Sequence, residues 1–515
     1  MKLSSRRIVS VIAVACALGL VGWAYWFHAR SEWALADYKK QLRDSGERLT
    51  VDELLPRPVD LESNGARILQ RAQSYFLYSL NRTSLLDTNA PEAMRMVAPG
   101  KAMIGWQQPD LREEGTNTWE QAEATLDQER QGLEGLEEII QHPALDFHLD
   151  YHQGFTLLLP HLAKLKQAAQ RLKSAAVCDL RKSDTARATT RICAMLAITK
   201  GMEDERLVIS QLVRFAIANI ALAANWELLQ SPQVNEAELA RLQTDWMAFD
   251  FIKGAENALL MERGMGEEAA EALRESSANY RTLMGMGSRS GGGSSGDWLG
   301  DFGRAAVDKG KETMWRYAWA SPDQLRGLQG IQVLLEALRR RETGEGFKTM
   351  LAYQDQKLTE LGIQQRATND EGLLFGGEDP RYLFTDSVRA LERLPHRLLA
   401  AEAGRQLLVT AIALKRYQLK HGSYPSDLAA LQPDFLAGPP LDPVDGQLLR
   451  YKLNPDGTFL LYSIGEDGED NGGDPTATTN SKTSFPWLKG RDVVWPRAAT
   501  DAEVLAYRQK LQGKR

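Results

Sequence analysis

The stretch LLPHLAKLKQAAQRLKSAAVCDL, residues 158–180, decides how the rest of the chain is read. Leu158, Leu162, Leu165, Ala169, Leu172, Ala176 and Leu180 recur every three or four positions, so one apolar stripe runs down one side of a helix. Ser183 and Asp184 then offer an N-cap for a following helix. Further on, residues 207–229 are apolar on nearly all sides, which predicts a central helix covered by its neighbours. Ser210, Gln211, Arg214 and Asn219 speak against a membrane span there, since each is costly in lipid. Ser231-Pro232 ends the segment.

Outward from this centre the same periodicity predicts helices over 66–80, 236–248, 255–280, 325–341 and 347–361. The chain thus reads as helical almost throughout from Glu32 to about Arg393. No signature recurs at a fixed period, so a bundle or irregular solenoid is expected for residues 31–395. Residues 285–296 are Gly/Ser-rich and read as a mobile loop. Gly291 to Gly296 has the GxGxxG form, but no strand precedes it and the nucleotide-binding reading falls. At 515 residues more than one domain is expected, and a hydrophobic content of 43% is ample for packed cores. A formal charge of -6 leaves no basic face for nucleic acid, which excludes that class.

At the N-terminus Lys2, Arg6 and Arg7 precede an uncharged run from Ile8 to Phe27. A run of about twenty apolar residues spans a bilayer core. The positive flank stays cytoplasmic, so everything after Arg30 is exported. Ala15-Cys16-Ala17 has the form of a signal cleavage site, but the apolar run continues well past it, and a retained transmembrane signal anchor over residues 1–30 is expected. Ala13 to Cys16 lacks the Leu of a lipoprotein box. Cys178 and Cys193 flank the turn Lys182-Ser183-Asp184; export permits a disulfide between them, and two buried free thiols are the alternative.

His142, His148, His152 and His161 lie close together with Asp146 and Asp150. On a helix, His148 and His152 would stand one turn apart and share a face toward a metal. The sequence between them is not HExxH. This pair is the basis of the alternative reading, a metal-dependent extracytoplasmic enzyme.

Toward the C-terminus Leu399, Ala403, Leu407, Ala411, Leu414 and Tyr417 form another stripe, with Lys415, Arg416 and Lys420 where positive charge suits the helix dipole. Gly422 is a natural C-cap and Pro425 prevents continuation. Leu448 to Leu453 and Thr458 to Ser463 alternate around Asn454-Pro455-Asp456-Gly457, a hairpin signal. A small antiparallel sheet laid on one helix is expected over 396–500, followed by a basic tail over 501–515. The expected fold class is therefore mainly α: an N-terminal transmembrane helix, a multi-helix domain, then a small α+β domain.

Ala413-Leu414-Lys415-Arg416-Tyr417, Gly422-Ser423-Tyr424-Pro425, Asp442 to Gly446, Tyr451, Leu461 to Gly468 and Asp492 to Trp495 follow one another in an order that resembles the globular domain of the major pseudopilin of type II secretion systems. The likeness covers roughly the last quarter of the chain. It implies a pilin-like fold and a structural calcium ion in the loop after the last long strand. Carried over position by position, it implies ligands at Leu461, Ser463, Asp467 and Asp492, with Asp470, Asn471 and Asp474 as substitutes. Gly490 stands where the family has an acid, and an insertion falls around Thr476 to Leu488.

Independently of any likeness, Glu466, Asp467, Glu469, Asp470 and Asp474 crowd acids into one loop without a base, and hard oxygen donors suit Ca²⁺. A solvated acidic loop is the alternative. An EF-hand is excluded because Thr478 stands where its closing Glu belongs. Residues 8–27 contain no Glu, so assembly as an ordinary pseudopilus subunit is not expected. The expectation is a non-catalytic scaffold anchored in the bacterial inner membrane by its N-terminal helix, its bulk periplasmic, engaging envelope or secretion proteins and no nucleic acid.

Overall fold

The structure is a computed structural model that describes residues 5–76, 94–110, 118–283, 309–342, 346–363, 382–477 and 488–513. The Gly/Ser loop at 285–296 lies outside the described residues. Helix α1 (Ser5–Asp44) is one uninterrupted helix, so residue 30 falls inside it. Its later turns bury Leu35 and Leu42, while Leu18, Trp23, Tyr25 and Trp26 stay exposed. A reciprocal Thr50/Glu53 capping box starts the short α2 (Val51–Leu54), and α3 (Gly65–Phe76) follows.

The expectation of helix almost throughout fails next. Strands β1 (Arg95–Ala98) and β2 (Lys101–Met103) pair antiparallel before α4 (Trp119–Gln128) and α5 (Arg130–Glu137). The expected stripe then appears as α6 (Pro160–Arg181), with Asp184 capping α7 (Thr185–Gly201) through the Arg187 N–H at 2.9 Å. Next come α8 (Val208–Leu229), α9 (Glu236–Met247), α10 (Phe251–Glu275) and α11 (Ser277–Leu283). A π-helical turn over Trp315–Trp319 leads into α12 (Ala320–Glu342), followed by α13 (Phe347–Glu360), α14 (Leu383–Leu391) and the long α15 (Leu394–His421). Gly422 ends α15 in the left-handed region at φ 83°, where lack of a Cβ is an advantage.

The hairpin follows as β3 (Arg450–Leu453) and β4 (Phe459–Ile464), joined antiparallel to β5 (Asp492–Val494). This sheet lies against α15, as expected. A further strand, β6 (Arg497–Ala498), pairs parallel with β2 and completes a second sheet in the order β1-β2-β6. The expected tail is instead helix α16 (Asp501–Gln512), because Thr500 and Glu503 form a capping box and Glu503 pairs with Lys101 and Arg497. One apolar core contains Leu54, Leu165, Ile220, Leu334, Leu407, Leu461 and Trp495, and so passes through residues 395–396 without a break.

Helix α8 sits in the middle of this core, packed by α6, α7, α10 and α15. Among the described residues it is the one helix long and apolar enough to cross a membrane, yet 78% of its most apolar window is buried inside the protein. Arg214 on α8 is fully buried and donates to the Thr199 carbonyl at 2.9 Å, to Gln211 Oε1 and the Asp250 carbonyl at 3.2 Å, and to Glu203 at 3.3 Å. Its guanidinium also lies over the Phe251 ring. The N-cap position of α8 is Leu207, which has no acceptor, and Glu262 of α10 supplies one to the Val208 N–H at 3.2 Å.

Burial pushes the Glu262 carboxyl up to about 7, against the pull of that N–H. Its folded pKa lies above the unfolded one, so its contribution is fully present below the ordinary value of 4.5 and is lost as pH rises through about 7. Urea unfolding of the full chain should show a loss of about 3 kcal/mol between about pH 4 and about pH 8 relative to Glu262→Gln. Equal pH profiles for the two proteins would remove Glu262 as the source.

Candidate functional site

The hairpin turn positions the candidate site. Asn454 N–H donates to the Thr458 carbonyl at 2.8 Å and Gly457 takes φ 83°, which fixes the β3–β4 register. Strand β4 then carries Leu461 and Ser463 into the interior, where both are fully buried. The Leu461 carbonyl accepts from the Trp495 N–H at 2.9 Å, an ordinary ladder bond. Ser463 Oγ donates to Asp442 Oδ1 at 2.6 Å.

Asp442 organises this corner. Fully buried, it accepts from the Val444 N–H at 3.0 Å, the Ile464 N–H at 2.9 Å and Arg450 at 2.8 Å, besides Ser463. Burial raises its pKa, opposed by Ser463, Val444 and Ile464. Asp442 is absent from the expected ligand set, although the Asp442-Pro443 pair that carries it is plain in the sequence.

The acidic loop closes on its own backbone. Asp467 accepts from the Glu469 N–H at 3.1 Å and Asn471 Nδ2 at 3.2 Å. Asp470 accepts from the Tyr462 hydroxyl and the Gly472 N–H, both at 2.9 Å, and Asp474 from the Thr476 N–H at 3.0 Å. These are Asx turns, in which a short carboxylate holds a backbone amide two residues on. Asp492, fully buried, accepts from the N–H groups of Asn471, Gly473 and Asp474 at 3.3, 2.7 and 3.1 Å, and so holds the returning strand to the loop. Burial raises its pKa against those three bonds.

Bases that the local sequence lacks arrive from elsewhere. Arg450 Nε lies 3.5 Å from Asp470, Arg491 lies 3.6 Å from Asp474, and Lys348 of α13 donates to the Gly468 carbonyl at 3.0 Å. The six expected calcium donors therefore do not form one shell. The Leu461 carbonyl and Ser463 hydroxyl are committed inside the sheet, and Asp467, Asp470, Asp474 and Asp492 each turn to different amides. Among the described residues no three His, Cys, Asp or Glu side chains are grouped to hold an ion.

Nor do the histidines share a face. His148 sits outside any helix at φ 54°, with Nδ1 3.3 Å from Asp146. His152 lies in a 3-10 turn over Tyr151–Thr156, 3.1 Å from Glu268 and 3.3 Å from Asp52. The hydrogen bond to Glu268 raises its pKa. Asp146 and Asp150 bind the amides of His148 and His152 at 2.7 and 3.2 Å, which favours turns over the helix that the spacing suggested. His161 is buried, 2.9 Å from Glu205 and stacked on Phe147. Cys178 and Cys193 are both free and buried, and burial pushes each thiol up to about 12, so they are inert packing residues.

No family model, no curated protein and no solved structure matches this chain.

Two outcomes follow from this geometry. Gly465 N–H bonds the Arg491 carbonyl at 3.0 Å, and a Cβ at Gly465 would lie 2.0 Å from that oxygen. Gly465→Ala should therefore part β4 from β5 and lower stability by about 1–3 kcal/mol in urea unfolding; an unchanged midpoint would contradict the close approach. Thermal melting of the full chain should be the same with excess calcium as with chelator, since the loop's carboxylates already have partners. A rise of several degrees with calcium would restore the metal reading.

Proposed function

We propose that this chain is a membrane-anchored, extracytoplasmic, non-catalytic scaffold whose helical body presents a pseudopilin-like C-terminal module to envelope or secretion proteins. Helix α1 carries the reading. It has 40 residues, about 60 Å of helix at about 1.5 Å per residue, against about 30 Å of bilayer core. Its later turns bury Leu35 and Leu42 in the body, while Leu18, Trp23, Tyr25 and Trp26 are exposed. Exposed aromatics at the end of an apolar run suit the membrane interface.

The order of motifs from Ala413 to Trp495 supports the pseudopilin likeness of the module. Its role is that of a packed element: Trp226 Nε1 of α8 donates to the Pro496 carbonyl at 2.8 Å, and Gln243 of α9 donates to the Phe435 carbonyl at 2.7 Å. The enzyme alternative has no comparable support, since His148 and His152 pair with different acids.

Expressed in a diderm bacterium, the full chain should stay in the membrane pellet through alkaline carbonate washing. Its body should be digested by protease added to spheroplasts but not to intact cells, and deletion of residues 5–27 should release it in soluble form. Release of the intact chain by carbonate, or protection of the body in spheroplasts, would end the proposal.

A further inference from the structure

Helix α1 first meets a separate part of the body just after its apolar run. The His28 ring packs edge-on against Tyr317, with centroids 5.6 Å apart and planes at 68°. Tyr317 lies in the π-helical turn Trp315–Trp319, a geometry that tends to mark functional positions. Trp315 pins that turn from inside: it is fully buried, with its ring 5.1 Å from that of Tyr280. Its outer side is left uncovered, with Met314 49% and Tyr317 61% exposed.

A single exposed aromatic is ordinary on a protein surface. Here the exposed residues gather at one level of α1. Trp26 and Trp33, 54% and 69% exposed, stand two turns apart on one side of the helix, and the Arg30 guanidinium lies 5.1 Å from the Trp26 ring. Tyr317 meets α1 through His28, on the opposite side. Residues 26–33 cover about 10 Å of helix axis, comparable with the polar layer that flanks a bilayer core. Lys311, close by on the same segment as Met314, is exposed and suits lipid phosphate. Two sides of α1 thus carry amphipathic aromatics and positive charge at the depth where the apolar run ends.

We propose that the Met314–Tyr317 turn is a second membrane contact, a foot that seats the folded body on the headgroup layer of an anionic bilayer beside α1. The inference rests on the anchor reading. Through it the body is held at a fixed height against the lipid instead of swinging on a single helix, because the foot and the anchor touch at His28. The occupant is a lipid surface, since the patch continues the exposed aromatics of α1 and its exposed Arg30, Lys309 and Lys311 outnumber the one exposed acid, Glu32, which pairs with His28 at 3.4 Å.

The test uses the full chain with Cys16→Ala, reconstituted in vesicles of phosphatidylcholine and phosphatidylglycerol. Single cysteines are placed by Tyr317→Cys, Leu18→Cys or Asp456→Cys and labelled with an environment-sensitive dye, the native Cys178 and Cys193 being buried. Lipids carrying spin-label quenchers at the headgroup or deep in the acyl chain then report depth. Position 317 should lose most of its emission to the headgroup quencher, position 18 to the deep quencher, and position 456 to neither. If 18 is quenched but 317 behaves like 456, the foot is overturned and the anchor stands. If 18 escapes both quenchers, anchor and foot fall together.

Discussion

The burial of α8 at both ends is the constraint on which the rest of the structure depends. A helix that apolar must be covered, and once covered every polar group on it needs a partner inside the protein. Glu262 meets this demand at the N-terminal end. At the other end both Glu227 oxygens accept from the Gly105 N–H at 2.9 Å, and Trp106 Nε1 donates to the Glu227 carbonyl at 3.2 Å. Trp226 reaches the Pro496 carbonyl in the same region. The end of α8 therefore fixes the segment after β2 and the segment before β6 at once, which is what lets those two strands pair. In the second turn, Arg214 joins α7 and the start of α10 to the same helix. Breaking one partner of such a buried group costs more than the bond itself contributes, because the other is left desolvated.

What was legible in the sequence was what local spacing determines. The stripe from Leu162 to Leu180 lies on α6, whereas Leu158 precedes that helix and is exposed; Asp184 caps α7 and Gly422 ends α15 as their residue types indicate. The hairpin around Asn454 to Gly457 formed where its turn chemistry placed it. The sheet β1-β2-β6 was not legible, because Lys101 and Ala102 pair with Arg497 and Ala498 from the far end of the chain. Strands of two to four residues carry too little alternation to show. His148 and His152 failed for a related reason: a four-residue spacing assumes a helix, and two aspartates that bind nearby amides turned the segment away from one.

The acidic loop shows the same limit in electrostatic form. Read alone, Glu466 to Asp474 has no base and invites a cation. Folded, it has Arg450 across the hairpin, Arg491 on the returning strand and Lys348 from a distant helix. Three separate charges from three places offset the loop without gathering its oxygens at one point. The two carboxylates that matter most to its shape, Asp442 and Asp492, are the buried ones, and each works by accepting N–H groups that would otherwise be orphaned, at the end of β4 for Asp442 and within the loop for Asp492. Loop composition does not show these partners, and it is the partners of each carboxylate that decide how the loop folds.

The contrast between α1 and α8 carries the same reasoning to the functional reading. Both contain apolar stretches, but among the described residues only α8 is long and apolar enough to cross a membrane. One is wrapped by four helices and has a buried arginine with a full set of partners; the other leaves Trp23, Tyr25 and Trp26 uncovered before entering the body. Composition cannot separate these cases, since a core helix and a membrane helix bury the same kind of side chain. What differs between α1 and α8 is how far the body covers them. Glu47, just beyond α1, is held by the fully buried Arg263 at 2.7 Å and also pairs with Arg339, which binds Glu256 as well. Although burial alone would raise its pKa, those two arginines bring the Glu47 carboxyl down to about 2, so it stays charged and the clamp stays closed at any physiological pH. The chain just after α1 is thereby tied to α10 and α12 by an ion-pair network rather than left as a flexible linker.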